Sequence, residues 1–532
     1  MKLIRHDDEG LTGNKAKLTV GGTVTLEGYY YGIVGNGNRH DTEVTINGGT
    51  VTQTKSNDGA GIYNPQRGSL TINGGTIEGA VGIYVKAGDV VTTTSGGTIR
   101  GIGEKATFTH NGSGVNNTGD AFVVENCGYP GGTPNVNISG GTFISTNASA
   151  VASYAYGDGN KPITGFIHGG TFSDESAIKY AAQNAEITVK LEADRTGTGV
   201  FVDENLNQTI TFDLNGKTYT ASAPAVGSTG YETQAFHLEN GNIVTIKNGT
   251  LAVATGNNMK MLIQNYCDLT LTDVKVNGEN LDQTSNSKYV FSNNCGTVVL
   301  NGETSIIAPA NFKAFDVCKY YDYTAPKVTW ASTGTVTGEI ELSGGEFILG
   351  SNLEVKQPIK VIAPATLDLK TFTLFGSSDF TKQKRGVVIV NRGGELTING
   401  TTGTIDGATN KVYSAVTMTE MEDTGDKVAK LTVNGGTLKG YYYGISGNGS
   451  RHNTEINIKG GNILGTCAAS DGSVGIFHPQ DGTLNITGGT IEGYSSAVEV
   501  RAGTVAISAG SLKSTATTYE CKKNDSGNTT EG

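Results

Sequence analysis

The chain repeats one short phrase: an apolar–Thr–apolar triplet, a Gly-Gly bend, then another β-branched residue. Val44-Thr45-Ile46-Asn47-Gly48-Gly49-Thr50-Val51 is one copy and Leu70-Thr71-Ile72-Asn73-Gly74-Gly75-Thr76-Ile77 is the next. Weaker copies carry Gly-Gly at 96–97, 140–141, 169–170, 344–345, 435–436, 460–461 and 488–489. Successive pairs begin 26 residues apart (48 to 74), then 22 (74 to 96), then 44 (96 to 140, read as two repeats), then 29 (140 to 169). A period in the twenties is too short for a globular unit and suits one turn of a β-solenoid.

Within a copy, Leu70 and Ile72 point one way and Thr71 the other, the alternation of a strand with one buried face. Asn-Gly-Gly tolerates positive φ and permits a sharp bend. Thr76-Ile77-Glu78 then makes a second short strand, and Gly82-Ile83-Tyr84-Val85 a third. Three strands and three bends describe a three-sided coil. No such coil buries its Ile, Val and Leu alone, so coils must stack, with parallel strands ~4.8 Å apart. At about 25 residues per coil the chain holds on the order of twenty coils. The expected class is therefore all-β, a parallel β-helix of three short strands per coil. One short helix is expected near 174–183, with Ser173 as its cap and Asp174 and Glu175 in its first turn.

A longer period is superimposed on the coils. Gly28-Tyr29-Tyr30-Tyr31-Gly32-Ile33-Val34-Gly35-Asn36-Gly37-Asn38-Arg39-His40 returns at Gly440-Tyr441-Tyr442-Tyr443-Gly444-Ile445-Ser446-Gly447-Asn448-Gly449-Ser450-Arg451-His452, an offset of 412. The match continues through Ile62-Tyr63-Asn64-Pro65-Gln66 against Ile476-Phe477-His478-Pro479-Gln480, with two residues inserted. Three modules are expected: 1–184, ending in the helix; 185–345; and 346–532, in which 428–532 repeats 15–120 and is truncated.

Composition narrows the function classes. Lys+Arg 39 against Asp+Glu 50 gives a net charge of −11, which argues against nucleic acid or an anionic membrane as partner. No apolar stretch is long enough to span a membrane, and Met1–Asp8 lacks the apolar core of a signal peptide. Six cysteines at 127, 267, 295, 318, 467 and 521 follow neither a disulfide framework nor zinc-motif spacing. Cys267, Cys295 and Cys318 lie about one coil apart; they are expected as buried thiols, with a disulfide the alternative.

The Leu-Thr-Ile-Asn-Gly-Gly-Thr-Ile coils, the Asp213-Leu214-Asn215-Gly216-Lys217-Thr218 element and the Tyr-Tyr-Tyr-Gly-Ile element resemble the Gly-rich, right-handed parallel β-helix regions of adhesin-like bacterial surface proteins. These belong to the pectate-lyase-like superfamily. The resemblance covers nearly the whole chain and implies export to the outside of the cell, although neither a signal peptide nor an anchor motif is legible. Enzymes of this superfamily carry elements such as Asn-Thr-Asp, Gly-His-Gly and Arg-Ile-Lys, none of which occurs here, and the Asp-Asp pair (Asp7-Asp8) precedes the first coil. No catalytic residue, metal ligand or cofactor is therefore assigned. The expected role is an extracellular adhesin or stalk on the cell surface, with a polysaccharide or host-surface glycan as the candidate partner. The alternatives are a polysaccharide lyase or glycoside hydrolase, and a phage tailspike or fibre. The candidate ligand-binding residues are those of the doubled element: Tyr29, Tyr30, Tyr31, Arg39 and His40, with Tyr441, Tyr442, Tyr443, Arg451 and His452. Tyr rings suit sugar faces, and Arg and His suit hydroxyls or carboxylates.

Overall fold

The computed structural model describes residues 1, 16–35, 42–88, 92–284, 289–381, 384–419, 426–449, 453–468 and 472–517. Its regular secondary structure is almost all parallel strand, in the pattern of a three-sided parallel β-helix. The chain divides into two compact units. One comprises Met1–Tyr219 with Gly241–Asn248, the other Thr220–Asn240 with Gly249–Gly532. No helix among the described residues is long and apolar enough to cross a membrane.

In the first unit the phrase read from the sequence forms bent strands. Thr42–Gln53 and Gly68–Gly79 each run through Asn-Gly-Gly and cover two sides of a coil. They pair in register, Val44 on Leu70, Ile46 on Ile72 and Val51 on Ile77, all fully or nearly fully buried. At the bend Gly75 has φ +83°, and a Cβ there would lie 2.7 Å from the carbonyl oxygen of Gly49 in the coil below. Close backbone stacking, together with positive φ, is what demands glycine at this position. Asn73 donates to Asn47 at 2.9 Å and Ser95 to Asn73 at 3.0 Å, so the outer corner is a hydrogen-bonded polar ladder. The third side comprises Tyr31–Val34, Ala60–Asn64, Val81–Val85, Phe122–Asn126 and Val151–Ala155. Its inward column is Ile33, Ile62, Ile83, Phe122 and Val151.

The interval from 96 to 140 is one coil rather than two. Thr98 pairs directly with Thr142 and Ile99 with Phe143. The additional residues, 102–120, form an inserted loop without strand. Gly-Gly spacing alone cannot tell a skipped bend from an insertion. The expected helix is present but shorter, a 3₁₀ segment Glu175–Tyr180. Its cap is Asp174 rather than Ser173, because the Asp174 side chain accepts from the Ser176 amide at 2.9 Å and from the Ala150 amide at 2.7 Å. It stops at Tyr180 because Ala181–Lys190 is a strand paired with Ile167–Phe172. Sheet pairing there outweighs the helix preference of Ala181 and Ala182.

In the second unit the third side is longer. Its inward column includes Phe291, Phe315, Ile340, Ile359, Val388, Val416, Ile445 and Ile476 in continuous register. Trp330 is fully buried in Lys327–Ser332, which pairs on both edges. Among the described residues no disulfide joins the cysteines. Cys267 and Cys295 are buried thiols, Cys318 is half-buried, and Cys521 lies outside the described residues.

Both copies of the long repeat use the same clamp. Gln66 donates to Thr42 Oγ1 at 3.0 Å, and Gln480 to Thr454 Oγ1 at 3.1 Å. Each glutamine lies against a glycine: a Cβ on Gly35 would fall 1.6 Å from Gln66 Oε1, and one on Gly447 1.6 Å from Gln480 Oε1.

Candidate functional site

Tyr29 and Tyr30 are 63% and 46% exposed and meet edge to face at 4.9 Å. Lys55 Nζ lies 4.2 Å from the Tyr30 ring and is paired with Asp58. Tyr31 lies along the outer surface of the third side. It stacks on Tyr63 at 5.4 Å, and Tyr63 meets Tyr84 at 6.1 Å. The three rings are one column, each contributed by a successive coil.

The inserted loop 102–120 roofs this column. Val115 packs among Tyr63, Val81, Tyr84 and Val123, and Phe108 stacks on Tyr154 at 4.3 Å. Beneath the roof lies a charged cluster. Tyr84 and Lys86 project outward from one strand, and Glu125 and Cys127 from the next. Lys86 and Glu125 are fully buried. Glu125 Oε2 accepts from the Tyr84 hydroxyl at 2.5 Å and lies 3.5 Å from Lys86 Nζ. Lys86 also donates to the carbonyls of Asn111 and, at 2.7 Å, Gly114, fastening the loop to the sheet. Glu125 Oε1 lies 2.5 Å from His110 Nδ1, and the imidazole stacks on Tyr156 at 3.8 Å. Burial first, then the Glu125 charge, pushes the Cys127 thiol up to about 11, so it is a protonated donor rather than a nucleophilic thiolate.

The second copy lacks the roof among its described residues. Tyr443 stacks on Phe477 at 5.1 Å, and the Arg501 guanidinium sits 4.9 Å from the Phe477 ring. The register that places Tyr84 beside Tyr63 places Glu499 beside Phe477. Glu499 therefore stands where the first copy has its third ring, and it pairs with Arg501 at 2.8 Å. A cleft of about 420 Å³ opens here, with Tyr413, Tyr443, Phe477, Lys384, Arg385 and Arg501 on its walls. Tyr441 and Tyr442 continue the aromatic surface, Tyr442 meeting Tyr413 at 4.8 Å. Among the described residues, the cleft walls hold three cations, Lys384, Arg385 and Arg501, the last paired with the Glu499 carboxylate. A larger groove of about 960 Å³ in the same unit has Asp268, Glu346 and Glu395 against Lys327 along it, with Tyr323 as its ring.

Of the sequence-derived candidates, Tyr29, Tyr30 and Tyr31 lie together, as do Tyr441, Tyr442 and Tyr443. Arg39, His40, Arg451 and His452 lie outside the described residues. Sequence reasoning missed Lys384, Arg385 and Arg501, which reach the cleft from other coils. It also missed the grouping of Lys86, His110, Glu125 and Cys127. The legible signal for the latter was two outward pairs at i, i+2, Tyr84/Lys86 and Glu125/Cys127.

A further acidic pair lies in the second unit. Asp316 and Glu341 occupy adjacent strands and are 5% and 4% exposed. Tyr289 donates to Glu341 at 2.6 Å, and Lys313 pairs with the same carboxylate. Burial pushes the Asp316 carboxyl up to about 7, against the hydrogen bond from the Asn293 amide. At that depth a sugar ring cannot reach between them, so their geometry is that of a coil-to-coil tie. No family model, no curated protein and no solved structure matches the chain.

Proposed function

We propose that the chain is an extracellular, repeat-built surface protein, an adhesin or stalk, whose second unit binds acidic glycans in the cleft beside Tyr443. The observation that carries this reading is the meeting of a stacked Tyr443–Phe477 pair with Arg385 and Arg501 in one open cleft. Aromatic rings provide an apolar wall for the C–H face of a sugar. Guanidinium groups form charge-assisted, two-point hydrogen bonds with carboxylates. A uronic or sialic acid presents both surfaces at once, and the overall negative charge of the chain disfavours non-specific capture of polyanions elsewhere. Stacked coils favour reach and repeated display over a single reaction centre.

The test is binding of the purified chain to immobilised polygalacturonate, alginate, sialylated glycans and neutral glucans, with product release followed in parallel. Saturable binding to an acidic member is expected, weakened about tenfold or more by Arg385→Ala. Binding that ignores both charge and Arg385 sinks the cleft assignment. Release of oligosaccharides would replace the adhesin reading with an enzymatic one.

A further inference from the structure

The roofed cluster of the first unit contains more ligating atoms than its packing role uses. Glu125 lies in the strand Phe122–Asn126 and Cys127 directly follows its end, two residues on, which brings both side chains to the same side of the sheet. His110 descends onto that face from the inserted loop. One ligand atom from each of His110, Glu125 and Cys127 falls within 4.8 Å of the other two. The two oxygens of Glu125 are divided between tasks: Oε2 is held by Tyr84 at 2.5 Å and approached by Lys86 at 3.5 Å, while Oε1 faces His110 at 2.5 Å. The imidazole plane is fixed by stacking on Tyr156. The His110 side chain is 16% exposed and Cys127 is half-buried, so the outer side of the cluster is reachable while Glu125 is sealed beneath it.

We infer that His110, Glu125 and Cys127 form a binding site for a divalent transition-metal ion, Zn²⁺ or a metal of similar preference. The donor set decides the class. One thiol sulphur, one imidazole nitrogen and one carboxylate oxygen suit Zn²⁺ and its late first-row neighbours, whereas Ca²⁺ and Mg²⁺ take oxygen sets. Three protein ligands leave a fourth tetrahedral position open on the exposed side. Tyr84 and Lys86 orient the Glu125 carboxylate from behind, as outer groups do at built metal sites. Binding replaces the His110 Nδ1–Glu125 Oε1 hydrogen bond by two bonds to the ion, the proton of that bond passing to His110 Nε2 or to solvent, and the Cys127 thiol proton leaves to solvent. Because Lys86 is a fixed positive charge on the far oxygen, the affinity is lower than that of a site with the same three ligands and a neutral neighbour.

The experiment uses the full chain, reduced and stripped with chelator, titrated with Co²⁺. One equivalent is expected to bind, with the near-ultraviolet absorption of a thiolate–cobalt bond, and Zn²⁺ should displace it. Cys127→Ser should abolish that absorption while the β-sheet circular dichroism stays unchanged, and His110→Ala should weaken binding at least about tenfold. A second measurement needs no variant: Zn²⁺ should slow alkylation at Cys127, located by peptide mass spectrometry, without slowing it at Cys318. Absence of stoichiometric Co²⁺ binding overturns the site. So does a thiolate absorption that survives in Cys127→Ser, or equal protection of Cys318.

Discussion

The two copies of the Tyr-Tyr-Tyr-Gly-Ile element begin from nearly the same sequence and end in different surroundings. In the first, the column Tyr31–Tyr63–Tyr84 is closed over by residues 102–120 and tied down through buried Lys86 and Glu125. In the second, the column Tyr443–Phe477 ends on Glu499 and Arg501 beside an open cleft. What the copies share is structural: the inward Ile33 and Ile445, the glycines 35 and 447, and the glutamines 66 and 480 that lie against them. What they do not share, among the described residues, is the third rung, Tyr84 in one and Glu499 in the other, and there the chemistry diverges.

The contrast is broken most forcefully at the carboxylates. Glu125→Gln removes the carboxylate paired with a fully buried lysine and should cost about 3–5 kcal/mol in thermal or denaturant unfolding, since one partner of a buried pair is left uncompensated. Glu499→Gln, in the exposed pair with Arg501, should change stability by less than about 0.5 kcal/mol. Comparable losses at the two positions would mean that the open copy is as enclosed as the roofed one.

Gly35→Ala and Gly447→Ala test the shared part. Each added Cβ overlaps a buried glutamine, so each should cost about 1–3 kcal/mol, and the two losses should match. A marked inequality would show that the clamp is not the same device twice.

Asp316 sharpens the difference between a carboxylate held by its cation and one whose burial outweighs the nearby Lys313. Its folded pKa is raised, so the folded state binds the proton more tightly than the unfolded state. Its contribution therefore favours folding at acid pH and declines as pH rises from about 4 towards about 7. Asp316→Asn keeps an acceptor for the Asn293 amide and should flatten that window, raising the melting temperature at pH 7.5 while leaving it nearly unchanged at pH 4. A variant whose melting temperature keeps the original slope across that window would exclude Asp316 as its source.

Much of the architecture was legible because it obeys two periodicities. Alternation in Leu70-Thr71-Ile72 gave the buried face, and Asn-Gly-Gly gave the corner, where close backbone stacking leaves no room for a Cβ. The inserted loop was hidden because its 19 residues, 102–120, brought the spacing close to two ordinary repeats. The helix was overextended because Ala181 and Ala182 favour helices locally and strands only in the presence of the neighbouring coil. The Tyr triplets stood out as sequence. Arg501 did not, because its place over Phe477 depends on the register between coils, which no local pattern encodes. His110 reaches Glu125 from an irregular loop, the kind of segment with no period to read.

The polar ladder through Asn47, Asn73 and Ser95 also has a mechanical meaning. Its bonds, like the backbone bonds of the parallel sheets, run from coil to coil rather than along the strands. Tension between neighbouring coils therefore loads one rung at a time instead of shearing a whole sheet. A unit built this way yields by unwinding coil after coil, dissipating a pull in small steps, and each released coil can rewind on the one that remains.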